Sequence, residues 1–433
     1  MNDISTGQRH ARSEGTPERK SGEGRLFLAM FLILAGLYAC GQMHRSAGAV
    51  LSPVLNQELG FDARELASIM AALFLAAGAT MIPYGIFLDR YGPRRCMTAL
   101  VSIGVLGTAL FAIAESWIAL VVARAFIGMG FSAVFMSSMV LFTRWTAPGR
   151  LTAWSGRITA VGGCGGLLAT TPLAASIEWL GWRPTMAGLA VIAGLLVVIA
   201  LRFIKDHPQS HVATADSTET LLQSLGGFLR VLREPAVRPI LIVSLVLYTP
   251  MQMTVGLWGG PFLLEVHGLD AITRGHVLFV VFACHLVAAL GFGALERLFN
   301  SRKWLVVTCA SLQSVQFLLL GWIGGESLPL AIALMIGIGL LAPVYLVSTV
   351  HCQSMFPRAL TGRAVATVTA LSVCGVFLTQ TTSSFVVRAF ADPGLIGSDA
   401  AYRAVFMAIS AVFVLVALIY TRTSDKPPEA RVP

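Results

Sequence analysis

The chain is a succession of apolar runs, each about as long as a bilayer crossing requires, separated by polar turns. Twelve such runs fall at residues 26–54, 66–88, 97–115, 117–142, 151–179, 184–204, 238–264, 275–295, 304–324, 328–350, 363–390 and 401–421. A helix rises about 1.5 Å per residue, so about 20 apolar residues cross the hydrocarbon, where every backbone polar group must be satisfied internally. The expected fold class is therefore all-α integral membrane, with twelve transmembrane helices. Only 12% of the 433 residues are charged, against roughly 25% in a soluble domain. A soluble enzyme of this composition would have no polar surface to show to water.

The net charge of +9 invites a nucleic-acid reading until its distribution is traced. With the N-terminus placed inside, 23 of the 31 Lys and Arg residues fall in the tails and in the loops on that same side. Five lie on the opposite side (Arg64, Arg183, Arg274, Arg388, Arg403) and three within helices (Arg45, Arg124, Arg157). This asymmetry is the positive-inside rule, and it implies that both termini are cytoplasmic. The basic balance is topological, so no nucleic acid is expected as a partner. The seven cysteines lie in or beside apolar runs without metal-ligand spacing and read as small buried hydrophobes. No metal and no cofactor is expected. Arginines outnumber lysines 27 to 4, which suggests a bacterium and hence its inner membrane.

A polar interruption from Asp206 to Pro239 divides the runs six and six. The expected organisation is a disordered N-terminal tail (1–25), a first six-helix half (26–205), a linker (206–237), a second half (238–422) and a C-terminal tail (423–433). Within the linker, Leu221–Glu234 carries leucines at helical spacing opposite Arg230 and Arg233, the pattern of an amphipathic helix on a membrane surface. Between runs 2 and 3 stands a charged turn holding Gly85, Asp89, Arg90, Gly92, Arg94 and Arg95. A weaker copy with Glu296, Arg297, Arg302 and Lys303 occupies the same place between runs 8 and 9, as a duplicated half requires. The first turn resembles the signature loop of the major facilitator superfamily, Gly-x-x-x-Asp-Arg-x-Gly-x-Arg-Arg. That resemblance implies two pseudo-symmetric six-helix halves and a loop that latches them together when the central cavity faces outward. Gly85 is expected to let helix 2 approach a neighbour closely.

Run 1 carries Tyr38, Gln42, Arg45 and Ser52 near one helical face, with His44 on the flank. A charge near mid-membrane costs roughly 3 kcal/mol on insertion scales, and an anionic ligand would repay it. Gln42 to Pro53 followed by Glu58 to Phe61 resembles helix 1 of organophosphate/phosphate antiporters and related bacterial nutrient permeases. Those antiporters bring a second arginine from helix 7, where this chain offers Tyr248, Pro250, Gln252 and Trp258 instead. A monoanion such as a carboxylate is thus favoured over a phosphate dianion. The alternative for Arg45 is a structural pair with a neighbouring helix.

Every Asp and Glu maps to a loop, a tail or a helix end. Multidrug proton antiporters of the superfamily usually carry a mid-membrane carboxylate, so cation export is not expected. His285 and His44 are the remaining titratable groups through which a proton could couple; the alternative for His285 is a hydrogen-bonded packing histidine. Arg124 to Gly130 resembles the family's Arg-x-x-x-Gly-x-Gly motif, with Arg124 organising the cavity or bonding structurally. Gly162, Gly163, Gly165 and Gly166 read as close helix packing. Pro343, Tyr345, Ser372 and Gln380 are further cavity candidates. The expected function is secondary transport of a small, anionic organic solute by alternating access, as a monomer in the lipid bilayer, coupled to protons or a counter-anion or to neither. Arg45, Tyr38, Gln42, Arg124, Tyr248 and Gln252 would bind it. The competing readings are export of a siderophore or hydrophobic compound, and a solute sensor that does not transport. No helix presents a nucleophile–base set, so an enzyme is not expected.

Overall fold

The structure, a computed structural model, describes residues 17–146, 150–207, 230–357, 360–390 and 397–426. Eleven helices among these are long and apolar enough to cross a membrane, and a pair bent by 41° makes a twelfth crossing. The first half contains α1 (Pro17–Ser46, continued by Gly48–Leu59), α2 (Ala63–Tyr91), α3 (Pro93–Ile113), α4 (Trp117–Trp145), α5 (Leu151–Leu168, then Thr171–Leu180) and α6 (Trp182–Phe203). The second half begins with α7, which runs Arg238–Leu247, Thr249–Met253, a π-helical turn Thr254–Trp258 and Gly259–Glu265. It continues with α8 (Ala271–Phe299), α9 (Arg302–Ile323), α10 (Leu328–Leu341, then Val344–Ser354), α11 (Thr361–Phe390) and α12 (Asp399–Tyr420).

Two expectations shift at the edges. Helix α1 begins at Pro17, inside the stretch read as a disordered tail; proline suits the first helical position because its missing N–H would be unsatisfied there anyway. Of the amphipathic linker helix, 221–229 lie outside the described residues, while 230–233 are helical.

Apolar periodicity makes the helices, and caps end them where lipid offers no partners. Asp62 and Glu65 form a reciprocal capping box at the start of α2. Ser116, Asp270, Ser301 and Ser398 cap α4, α8, α9 and α12 through their side-chain oxygens.

The duplication foreseen from the charged turns extends to tertiary bonds. Leaving α6, the chain offers the Lys205 carbonyl to Trp145 Nε1 of α4 (3.0 Å) and the Asp206 carboxylate to the Arg94 amide of α3 (2.8 Å). Leaving α12, it brings the Ser424 carbonyl to His351 Nε2 of α10 (3.1 Å) and the Asp425 carboxylate to the Lys303 amide of α9 (3.2 Å). The same two joints recur in each half, with different residues. The start of α1 meets this same end of the bundle, since Phe27 packs on Trp145 and Trp154.

The halves seal against each other at the opposite end. There α1 meets α7, α5 meets α8, and α2 meets α11. Backbone touches backbone: a Cβ on Gly48 would lie 1.7 Å from the Gly256 carbonyl oxygen, and one on Gly260 1.8 Å from that of Ala49. Only glycine permits such contact, which in lipid is how helices gain dispersion energy. The glycines of α5 work as expected: Gly162 and Gly165 accommodate Tyr38 and Ala39 of α1, while Gly163 and Gly166 take Leu286 and Phe282 of α8.

Candidate functional site

Besides α5, three helices, α1, α7 and α10, break near the middle, and prolines account for the open carbonyls there. A proline deprives the carbonyl four residues earlier of its amide partner. Pro250 in α7 opens the Val246 carbonyl, and the Thr249 hydroxyl fills it (2.8 Å). Pro343 in α10 opens that of Gly339, and His285 Nδ1 reaches it (3.3 Å). In α1, Pro53 opens that of Ala49, against which Gly260 packs. Broken helices of this kind are tolerated in membranes only where protein or a cavity satisfies the backbone.

Beside these breaks lies the polar cluster. Arg45 Nη1 donates to Gln42 Oε1 (2.8 Å), and among the described residues no carboxylate stands within ion-pairing distance of it. Fourteen residues separate Arg45 from Leu59, about 20 Å of helix, so the guanidinium does not snorkel to that end. Tyr38, Tyr248 and Tyr345 gather with Arg45 closely enough to interact electrostatically. Tyr248 and Tyr345 meet edge to face with ring centroids 4.9 Å apart. Gln252 Nε2 donates to the Tyr248 hydroxyl (2.9 Å), and Gln380 Nε2 to the Gln252 carbonyl (3.3 Å). One charge from the first half thus faces a tyrosine and glutamine wall from the second. Of the residues expected at the site, Arg45, Tyr38, Gln42, Tyr248, Tyr345, Gln252 and Gln380 come together.

Arg124 and His44 do not join them. Arg124 is only 2% exposed, and its Nη1 donates to the His44 carbonyl (2.8 Å) while Nη2 approaches Met70 Sδ (3.0 Å). Its guanidinium lies 5.0 Å from the centroid of the Phe111 ring. It ties α1, α2 and α3 to α4 inside the first half, next to the break in α1. The His44 ring points the same way, toward Thr108 (3.2 Å) and Phe131. Both were expected at the solute or proton path, and both sit in the packed interior instead. His285 is engaged with the carbonyl that Pro343 opened, a role that requires no transported proton.

A cavity of about 610 Å³ opens at the end carrying the charged turns, between α2, α4 and α5 of one half and α10 and α11 of the other. Its wall includes Phe135, whose ring is 5.4 Å from that of Tyr38. The opposite end is shut by the glycine contacts above and by two exposed links between α2 and α11: Asp62 with Arg388 (3.7 Å) and Arg64 over Phe385 (5.6 Å).

In the charged turn, Gly92 adopts φ 81°, a left-handed conformation that favours glycine, and a Cβ there would meet Asp206 at 2.8 Å. Arg94 also donates to the Leu201 carbonyl, Arg90 lies over the Tyr91 ring, and Arg95 is exposed. These bonds stay within one half, on the side where the cavity is open. The side chain of Asp89 lies outside the described residues. Among the described residues nothing lies within 4 Å of where a Cβ on Gly85 would be, so no close helix neighbour of Gly85 is found among them. In the second copy Glu296 pairs with Arg302 (2.6 Å) and Arg297 is exposed. Asp206 was missed in the sequence, where it reads as the first residue of a linker. The signal was its counterpart, Asp425, at a similar place after run 12.

The family model described as Major Facilitator Superfamily matches residues 26–380. The chain belongs to that superfamily. As a superfamily member it is a multi-pass membrane protein. Its fold is that of a point mutant of the nucleoside transporter NupG, with TM-score 0.75 over 92% of this chain and 99% of that one at 16% identity. Among curated relatives, a probable sulfoacetate transporter SauU of Cupriavidus necator is 24% identical over 179 residues, 41% of this chain and 42% of the relative. A facilitated glucose transporter, member 12 of solute carrier family 2 of Danio rerio, is 30% identical over 230 residues, 50% of this chain and 36% of the relative. The matched regions span about two fifths of those relatives' lengths. Their names cover charged and neutral solutes alike, so they do not choose the solute class.

Proposed function

We propose that this superfamily member is a secondary active transporter that carries a small organic anion across a bacterial inner membrane by alternating access. One observation carries the reading: Arg45 is held in the interior stretch of α1, bonded to the Gln42 amide and within electrostatic reach of Tyr38 and Tyr345, with no acidic side chain beside it among the described residues. Such a charge is costly in a membrane interior, and a substrate carboxylate or sulfonate in the adjoining cavity would neutralise it. The relative named for sulfoacetate fits that class. A single guanidinium suits a monoanion better than a phosphate dianion. Tyr38 and Gln42 would orient the solute from α1, and Tyr248, Tyr345 and Gln252 would face it from α7 and α10.

By the positive-inside rule the open end, both termini and the 206–237 linker would face the cytoplasm, and the conformation would then be inward-open. The 85–95 turn, bonded only within its own half in its described side chains, would be a released latch that re-engages across the halves when the cavity faces outward. Glu296 and Arg297 would give the second half a weaker version. The protein would work as a monomer, with a proton, a counter-anion or neither as its coupling partner.

The test is solute counterflow in proteoliposomes, comparing carboxylates and sulfonates with their neutral amides. The proposal expects exchange of anions and rejection of the amides. Equal exchange of both would remove charge recognition from the mechanism.

A further inference from the structure

The wall of the open cavity says more about the solute than its charge. Met81, Phe135, Met136, Met139, Val140 and Val365 line it, and among the described residues no charged side chain does. Three of its hydroxyls are committed to their own helices, and Ser155 and Gln353 are the other polar side chains in the wall. Ser132 donates to the Met129 carbonyl (2.7 Å), Thr361 to that of Pro357 (3.3 Å) and Thr369 to that of Val365 (2.8 Å), each one turn back along its own helix. A polyhydroxylated solute lying along the methionine and phenylalanine side of this space would give up bonds to water and find few replacements there. Methionine, by contrast, is flexible and polarisable and shapes itself to apolar bodies of varied outline.

The two chemistries are contiguous. Phe135 lines the apolar wall and packs on Tyr38, which precedes Arg45 by two helical turns on α1 and lies near enough to feel its charge. We infer that the solute is an amphiphilic monoanion, an aryl or alkyl carboxylate or sulfonate, whose acid group meets Arg45 while its hydrocarbon body lies along Phe135, Met136, Met139 and Met81. This rests on the anion reading above and narrows it: sugar acids share the charge but not the body. A cavity of about 610 Å³ falls within the usual size range for ligand sites and accommodates an aromatic acid with a side chain.

The experiment is equilibrium binding to the full-length protein in lipid nanodiscs. The probes are benzoate, phenylacetate and phenylpropanoate, with hexanoate set against gluconate, and with benzyl and phenethyl alcohols as uncharged controls for partition into lipid. Affinity should rise about fourfold for each added methylene, hexanoate should bind at least about tenfold more tightly than gluconate, and the alcohols should bind more weakly than the matching acids. Replacing the two methionines (Met136→Gln with Met139→Gln) should reduce the gain per methylene to less than about twofold. A flat series, gluconate binding as tightly as hexanoate, or an unchanged slope in the double variant would overturn the inference. Arg45→Gln separates the two layers. If it abolishes acid binding while the wild-type series is flat, the anion reading stands and the amphiphile falls. If acid binding survives Arg45→Gln, the anion reading itself falls.

Discussion

Adding one methyl group at Gly48 should unseal the closed end of the protein. In the structure a Cβ there would sit 1.7 Å from the Gly256 carbonyl oxygen. Carbon–oxygen contacts of this type settle at about 3.3–3.6 Å, so α1 and α7 would have to part by about 1.6 Å. A gap of even 0.5–1 Å forfeits roughly a quarter to a half of a dispersion well, and a clash of this kind in a packed interior costs about 1–3 kcal/mol. Because Gly48 and Gly256 belong to different halves, that cost falls on the conformation sealed at this end. Gly48→Ala should therefore shift the conformational ratio toward the state open at this end by roughly 5- to 150-fold. Spin labels at Glu115→Cys and Glu326→Cys, at the sealed end of the two halves, would read this as a longer inter-label distance. The background would carry serine at the seven native cysteines. An unchanged distance distribution would mean that the α1–α7 contact is not the seal and that closure depends on other contacts.

Two further outcomes follow from the joints and breaks. Gly92→Ala forces a left-handed backbone on an L-residue, at about 1–2 kcal/mol, and pushes a methyl group into Asp206; thermal unfolding in detergent should shift downward, whereas Gly85→Ala, whose methyl group meets no described residue, should leave it unchanged. His285→Ala strands the Gly339 carbonyl at about 1–3 kcal/mol, but Pro343→Ala restores an amide to that carbonyl. The double variant should therefore lose less stability than the sum of the singles, and strict additivity in a denaturation cycle would refute the pairing.

The spans were legible because hydropathy over a helix length is a local property, and the charged turn was legible because its spacing is. Tyr248, Tyr345 and Gln380 could be singled out as polar residues in apolar runs, and the structure gathers them at Arg45. What sequence could not supply was direction across the helix. Arg124 and Arg45 look alike in one dimension, yet one points into the first half and the other faces the second. The glycines illustrate the same limit. Gly85 and Gly48 are equally small, and only their neighbours decide that Gly48 touches backbone while Gly85 meets no described residue within 4 Å. The fate of His285 was readable in principle, since Pro343 must open a carbonyl four residues earlier, but which side chain answers it depends on how α8 packs against α10.

The central claim is that Arg45 binds the charge of the transported solute. Its most direct test is counterflow in proteoliposomes of Arg45→Gln against wild type, using whichever organic anion the wild type exchanges fastest. Removing one partner of a desolvated charge pair costs about 2–5 kcal/mol, so apparent affinity should fall at least about 30-fold while the protein still folds and inserts. Exchange by the glutamine variant at wild-type affinity and rate would contradict the claim.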